Sequence, residues 1–225
     1  MRLGVTAALA AATAFAIPAA HAADPGMMPA SAGWTSCYVG GNLGGAWSHT
    51  NVNDEVSGYL IASLDADAVV GGGQIGCDYQ FAPQWVVGIQ GMIDATGLQA
   101  DTTSDALGPL TLHGAIPWVG TLTGRFGYLP APDWMIYAKG GLAWNQTNSS
   151  LTYLGSTIDA VSFGQTGWTA GIGAEWKHDP HWSFFAEYDY MGFSPTTVTF
   201  ANAHQIGTVN QNVQAVLFGV NFHLN

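Results

Sequence analysis

Between Trp168 and Tyr190 the chain alternates apolar and polar residues on both sides of His178-Asp179-Pro180-His181. A period of two marks strand, not helix. In the first segment Trp168, Ala170, Ile172, Ala174 and Trp176 share one face, and Thr169, Gly171, Gly173, Glu175 and Lys177 share the other. The second segment sets Trp182, Phe184, Ala186, Tyr188 and Tyr190 against Glu187 and Asp189. The same joint recurs as Pro83-Gln84-Trp85, Pro132-Asp133-Trp134 and Pro180-His181-Trp182, about 48 residues apart, so the chain reads as one hairpin repeated. A lone soluble hairpin would bury its aromatic face and show its charges to water. A ring of such hairpins reverses the assignment, with the aromatics outward on lipid and the charges enclosed.

Taken in order, the pattern predicts eight strands. They are Trp34 to Trp47, Asp67 to Phe81, a third beginning at Trp85, a fourth through Trp118 and Tyr128, Trp134 to Trp144, the hairpin pair above, and Asn212 to Leu224. Three connections are short and rigid. The others, after strands 1, 3, 5 and 7, are about 18 to 21 residues long and rich in Asn, Asp, Ser, Thr and Gly. Such sorting by end fits a closed antiparallel up-and-down transmembrane β-barrel, with short periplasmic turns and long outer loops. Tryptophan placement agrees: Trp34, Trp85, Trp134, Trp176 and Trp182 fall at the short-turn ends, and Trp47, Trp118, Trp144 and Trp168 at the long-loop ends. Ten residue steps separate Trp134 from Trp144, which at ~3.3 Å each and a ~40° tilt rise about 25 Å, the height of an outer-membrane apolar band. Two aromatic girdles are expected. An aromatic-rich secreted sandwich or lipocalin-like barrel is the competing reading.

Residues 1–22 read as a signal peptide, with basic Met1-Arg2, an apolar run from Leu3 to Ile17 too short to span a bilayer, and Ala20-His21-Ala22 as the cleavage pattern. Residues 23–33 are a Pro- and Gly-rich lead-in, and 34–225 the barrel domain. Charged residues make up 8% of the chain, far below the roughly one quarter of a soluble domain, so something other than water must cover much of it. With Lys+Arg 4 against Asp+Glu 15, nucleic acid is excluded as a partner, because phosphate contacts need clustered cations.

The runs Cys37-Tyr38-Val39-Gly40-Gly41, Gly71-Gly72-Gly73-Gln74-Ile75-Gly76, Gly124-Arg125-Phe126-Gly127-Tyr128, Tyr137-Ala138-Lys139-Gly140-Gly141 and Gly219-Val220-Asn221-Phe222, in that order and spacing, resemble the small outer-membrane β-barrel proteins of alphaproteobacteria, the porin-family or opacity-type barrels. The resemblance spans the mature chain and implies residence in the bacterial outer membrane. It also implies contact with membrane lipids and lipopolysaccharide, and insertion by the barrel-assembly machinery. Such proteins commonly end on an aromatic residue, whereas this chain ends Phe222-His223-Leu224-Asn225.

On the enclosed face stand Asp78, Asp94, Glu175, Glu187 and Asp189 with Arg125, Lys139 and Lys177. They could line an ion path. An eight-stranded barrel, however, is only wide enough for side chains to fill, and paired charges are the polar way to fill it. His49, His113 and His204 show no ligand spacing, so no metal, haem or other cofactor is expected. Ser48-His49 with Asp65 supplies hydrolase residue types without a nucleophile motif, and no catalysis is expected. The long loops hold Asp54, Glu55, Asp65, Asp101, Asp105 and Asp159 and no Lys or Arg, so polyanions should be repelled.

An exported chain with two cysteines favours a bridge. Cys37 and Cys77 share the outward face of neighbouring strands, and if opposed positions sum to about 114 they face one another. Two free thiols facing lipid are the alternative. The expected function is that of a monomeric structural barrel that supports the outer membrane and displays four acidic loops. A narrow porin-like channel and a surface adhesin or haem-binding protein are the alternatives.

Overall fold

A computed structural model of the chain describes residues 33–54, 60–104, 110–154, 156–200 and 205–224. The signal segment 1–22, the lead-in up to residue 32, and Glu55, Asp105 and His204 lie outside the described residues. The strands are β1 (Ser36–Asp54), β2 (Leu60–Ala82), β3 (Trp85–Ser104), β4 (Leu110–Ala131), β5 (Trp134–Tyr153), β6 (Ser156–Lys177), β7 (Trp182–Phe193), β8 (Thr196–Phe200) and β9 (Gln205–Leu224). β1 to β7 pair antiparallel in chain order, and β9 pairs β7, β8 and β1, so the sheet closes on itself. β7 and β8 are one stave interrupted at Ser194-Pro195, since both pair β9 with registers offset by one residue. Eight staves therefore make the barrel. The break has a local cause, because Pro195 has no N–H to give a ladder.

Parity within the strands follows the alternation. Leu43, Val69, Ile75, Leu142, Ile172 and Phe218 all point outward and are 62–69% exposed, an intolerable apolar surface for a soluble domain and the expected one for a face covered by lipid. Strand length departs from expectation. The segments anticipated as long loops are largely ladder: β1 and β2 remain paired out to Asn53↔Leu60, and β4 and β5 to Leu110↔Tyr153. The twenty residues of β5 rise about 48 Å at ~3.3 Å per step and ~40° tilt, nearly twice the ~25 Å band. Apolar alternation stops where lipid stops. Hydrogen-bonded ladders do not, and Thr, Ser and Asn suffice to face water there.

The outer part is not closed all round. The β2–β3 ladder ends at Val70↔Thr96 and the β6–β7 ladder at Gly167↔Phe193. Beyond those pairs the described strands form two four-stranded sheets, β3-β4-β5-β6 and β8-β9-β1-β2, separated by two seams. Register shifts at Ala95/Leu98 and Ala115/Trp118 fall at the same height, the second spanning Pro117.

Large inward side chains stand opposite glycine across the ladder: Tyr38↔Gly76, Tyr137↔Gly173, Asp78↔Gly88, Asp189↔Gly171 and Phe185↔Gly219. A Cβ on Gly173 would lie 2.4 Å from the Tyr137 ring, and one on Gly219 2.3 Å from that of Phe185. Glycine is thus the room into which each large side chain lies. Gly173→Val is expected to lower barrel stability by about 1–3 kcal/mol through overpacking, read as a lower urea midpoint with the gel mobility of the unheated protein retained. An unchanged midpoint would contradict the fit.

Candidate functional site

The interior is built in layers. Nearest the short turns, Trp34 is 1% exposed and packs with Val86, Leu129, Met135 and Tyr137. Its indole N–H donates to the Pro132 carbonyl at 3.1 Å, and its backbone N–H to Gln80 Oε1 at 3.0 Å. Lys177 Nζ sits 4.6 Å from the centre of its ring and donates to the Gly33 carbonyl at 3.2 Å. Trp34 stands at the short-turn end as expected, but on the even, inward parity of Tyr38 and Asn42, so it closes the mouth and does not join the outer girdle.

Above Trp34 lies the charged layer. Arg125 reaches Glu175 at 2.6 Å and Asp78 at 3.5 Å, and donates to the Tyr38 hydroxyl at 2.7 Å. Its guanidinium also lies 4.3 Å from the centre of the Tyr137 ring, a cation–π contact strengthened by exclusion of water. Glu175, fully buried, accepts further bonds from Ser183 Oγ at 2.5 Å and Asn221 Nδ2 at 2.9 Å. Lys139 is held between Glu187 and Asp189, each at 2.8 Å, and Tyr137 donates to the other Glu187 oxygen at 2.8 Å. Asp94 is not in these ion pairs and accepts from Asn42 at 2.9 Å. Asn42 also donates to Gln74 at 3.0 Å, and Gln74 to Asn221 at 2.8 Å, so one amide chain joins Asp94 to Glu175 across the lumen.

All eight expected interior charges are buried, but they fall into separate groups. The Arg125 and Lys139 clusters form two ion-pair centres, Asp94 is held by amides, and Lys177 serves Trp34. Sequence reasoning missed the tyrosines, amides and Ser183 that donate to Glu175, Glu187 and Asp94, although their inward parity was readable. It also placed His223 inward without a role. His223 is fully buried, with Ser36 Oγ at 2.8 Å, Ser183 Oγ at 2.9 Å and Glu175 at 3.7 Å.

A third layer, apolar, was not foreseen. Outward of the charges, Val70, Met92, Val119, Ala143, Met191, Val213 and Leu217 form an apolar cluster with Leu98, Ile116 and Phe193. Met92, Val119 and Met191 sit on the inward parity, so the pattern contained this signal. Charge drew attention away from it.

On the outer surface, Trp85, Trp134, Trp176 and Trp182 crowd the short-turn ends, with ring centres 6.4 Å apart for Trp134 and Trp176, 5.1 Å for Trp85 and Phe126, and 5.0 Å for Trp182 and Phe222. At the opposite rim, Trp47 meets Tyr188 at 6.4 Å and Trp168 meets Tyr190 at 5.3 Å. Trp144 covers Gly120, and Trp118 is half-buried on the same outward parity. In the last short turn, Asp179 accepts from the backbone N–H groups of His181 and Trp182, both at 2.8 Å. Those bonds hold its carboxyl below the usual carboxylate range.

Cys37 and Cys77 are directly opposed and joined by a disulfide on the outward face. Purified protein denatured without reductant is therefore expected to resist thiol-reactive labelling, and quantitative labelling of both cysteines would contradict the bridge. The Ser48, His49 and Asp65 trio does not assemble. His49 and Asp65 pair on the outside, whereas Ser48, one residue away, points inward. On the outer stretch of the β3–β4 ladder, His113 pairs with Asp101 at 2.5 Å.

Comparison with known proteins fits this geometry. The family model described as "Outer membrane protein beta-barrel domain" matches residues 7–223. The chain belongs to that outer-membrane barrel family. Within it, the 31 kDa outer-membrane immunogenic protein of Brucella melitensis biotype 1 is 30% identical over 202 residues, covering 82% of this chain and 80% of the relative. The protein of the same name from Brucella suis biovar 1 matches with the same identity and coverage. Among solved structures, the outer membrane protein OprG of Pseudomonas aeruginosa aligns with a TM-score of 0.50 at 14% identity, covering 86% of this chain and 99% of that one, a likeness of fold. The family barrel is an outer-membrane protein, its apolar outward face set in membrane lipid.

Proposed function

We propose that this family member is a closed structural barrel that helps maintain the outer membrane and displays an acidic outer surface. The observation carrying the reading is the filled lumen. Arg125 and Lys139 are each clamped by two carboxylates, with Trp34 beneath and the apolar cluster above. A steady aqueous path would have to cross all three, whereas open channels belong to barrels of about 16 strands. The two aromatic girdles fix the barrel's height in the bilayer. Lipid and lipopolysaccharide surround it, and the barrel-assembly machinery inserts it. That the Brucella relatives are named immunogenic supports surface display. Planar-bilayer recording of the reconstituted mature protein tests the proposal. Near-silent traces are expected, and frequent large openings would favour the narrow-channel reading instead.

A further inference from the structure

Beyond the outer aromatic rim, the stave formed by β7 and β8 parts from β6. The last backbone bond across is from the Ser194 N–H to the Thr166 carbonyl at 2.9 Å, and Pro195 follows with no N–H to offer. From there β6 is laddered to β5 alone and β8 to β9 alone among the described residues. In an antiparallel strand alternate residues turn both backbone groups to the same side. Gly164, Ser162 and Ala160 therefore face the seam, as Thr166 does. No described strand pairs with Gly164 or Ser162 on that side. The Ala160 N–H is covered by the Asp159 carboxylate at 2.9 Å.

A further observation points to an occupant. Gln165, 2% exposed, stands at the foot of the seam with Nε2 at 3.5 Å from both the Ser194 carbonyl and Thr196 Oγ1. Its Oε1 is buried and has no hydrogen-bond partner among the described residues. Such an acceptor is costly to leave unmet.

We propose that the seam between β6 and β8 is a binding site for an extended, neutral or basic polypeptide strand supplied by another protein. An open sheet edge offers alternating N–H and C=O groups, which a second main chain satisfies and a sugar or lipid does not. Charge selects the class of strand. The mature chain's basic residues, Arg125, Lys139 and Lys177, are buried inside, while Asp159 stands on β6 beside the seam. Acidic strands are repelled and basic ones drawn in. The five residues of β8 set the matching length. This site is independent of whether the lumen conducts.

The test uses full-length mature protein in nanodiscs and a fluorescent eight-residue peptide alternating Lys and Thr, followed by anisotropy. Saturable binding is expected, at least tenfold weaker for the same peptide N-methylated at alternate residues, and absent for a Glu-Thr counterpart. Ser162→Pro, which removes a seam-facing N–H and leaves the β5 ladder, should also weaken binding at least tenfold with the gel mobility of the unheated protein unchanged. Should that variant fail to fold, the N-methylated peptide still decides. Equal binding of both Lys-Thr peptides would reduce the effect to charge and overturn the proposal. So would no saturable binding, or Ser162→Cys protein that cross-links into dimers while the peptide fails to bind, which would make a second copy of this chain the occupant.

Discussion

Replacing Arg125 by methionine is expected to destabilise the folded barrel by about 3–5 kcal/mol, the cost of leaving buried carboxylates without their cation. Methionine nearly preserves the volume, so the effect isolates charge from packing. Glu175 would lose the guanidinium at 2.6 Å and keep only its Ser183, Asn221 and His223 neighbours, and Asp78 would lose its cation at 3.5 Å. Urea unfolding in detergent, followed by the mobility of unheated samples, gives the magnitude. The triple variant Arg125→Met, Glu175→Gln, Asp78→Asn should recover much of the loss, because neutral groups remove the uncompensated charge. If Arg125→Met alone unfolds like the wild type, the ion-pair centre is not what holds the middle of the lumen together.

Trp34→Ala should cost a similar amount, about 3–5 kcal/mol, by removing a large buried ring and leaving a cavity. The change also strips Lys177 of its aromatic partner and the Pro132 carbonyl of its indole donor. Despite that loss, the variant is expected to remain nearly silent in planar bilayers, because the Arg125 and Lys139 centres and the apolar cluster still fill the lumen above it. Instability without conductance would identify Trp34 as a stopper whose role is cohesion. A steady current from this single substitution would instead make it the principal seal.

Strand order, parity and the Cys37–Cys77 register were legible because a period of two is read directly from the residues, and one hydrophobic face fixes the register. The alternation from Trp134 to Trp144 exposes the lipid-facing side without any coordinates. What was not legible lies where that face ends. Above Trp144, Asn145 to Tyr153 carry no apolar stripe, and they read as a loop although they continue β5. Within the lumen, parity indicated which side chains meet but not at what height. Lys177 was therefore grouped with the other cations, although it serves the mouth, and the methionines and valines of the outer layer went unremarked. Trp34 shares the inward parity of Tyr38, so its end of the barrel was legible and its packing against Lys177 and Met135 was not.

The continuation of the ladders past the lipid also bears on what an antibody raised against this protein would grip. Residues at the outer end are held at a set altitude by hydrogen bonds, like masonry and not like streamers. Ser149 and Val161 face one another from different strands, as do Thr50 and Gln211. An immunoglobulin footprint there would span several strands, and no single linear peptide reproduces it. Sera raised against the native barrel should bind the unheated form and lose most of their signal on boiled protein, while sera raised against synthetic loop peptides should show the reverse preference.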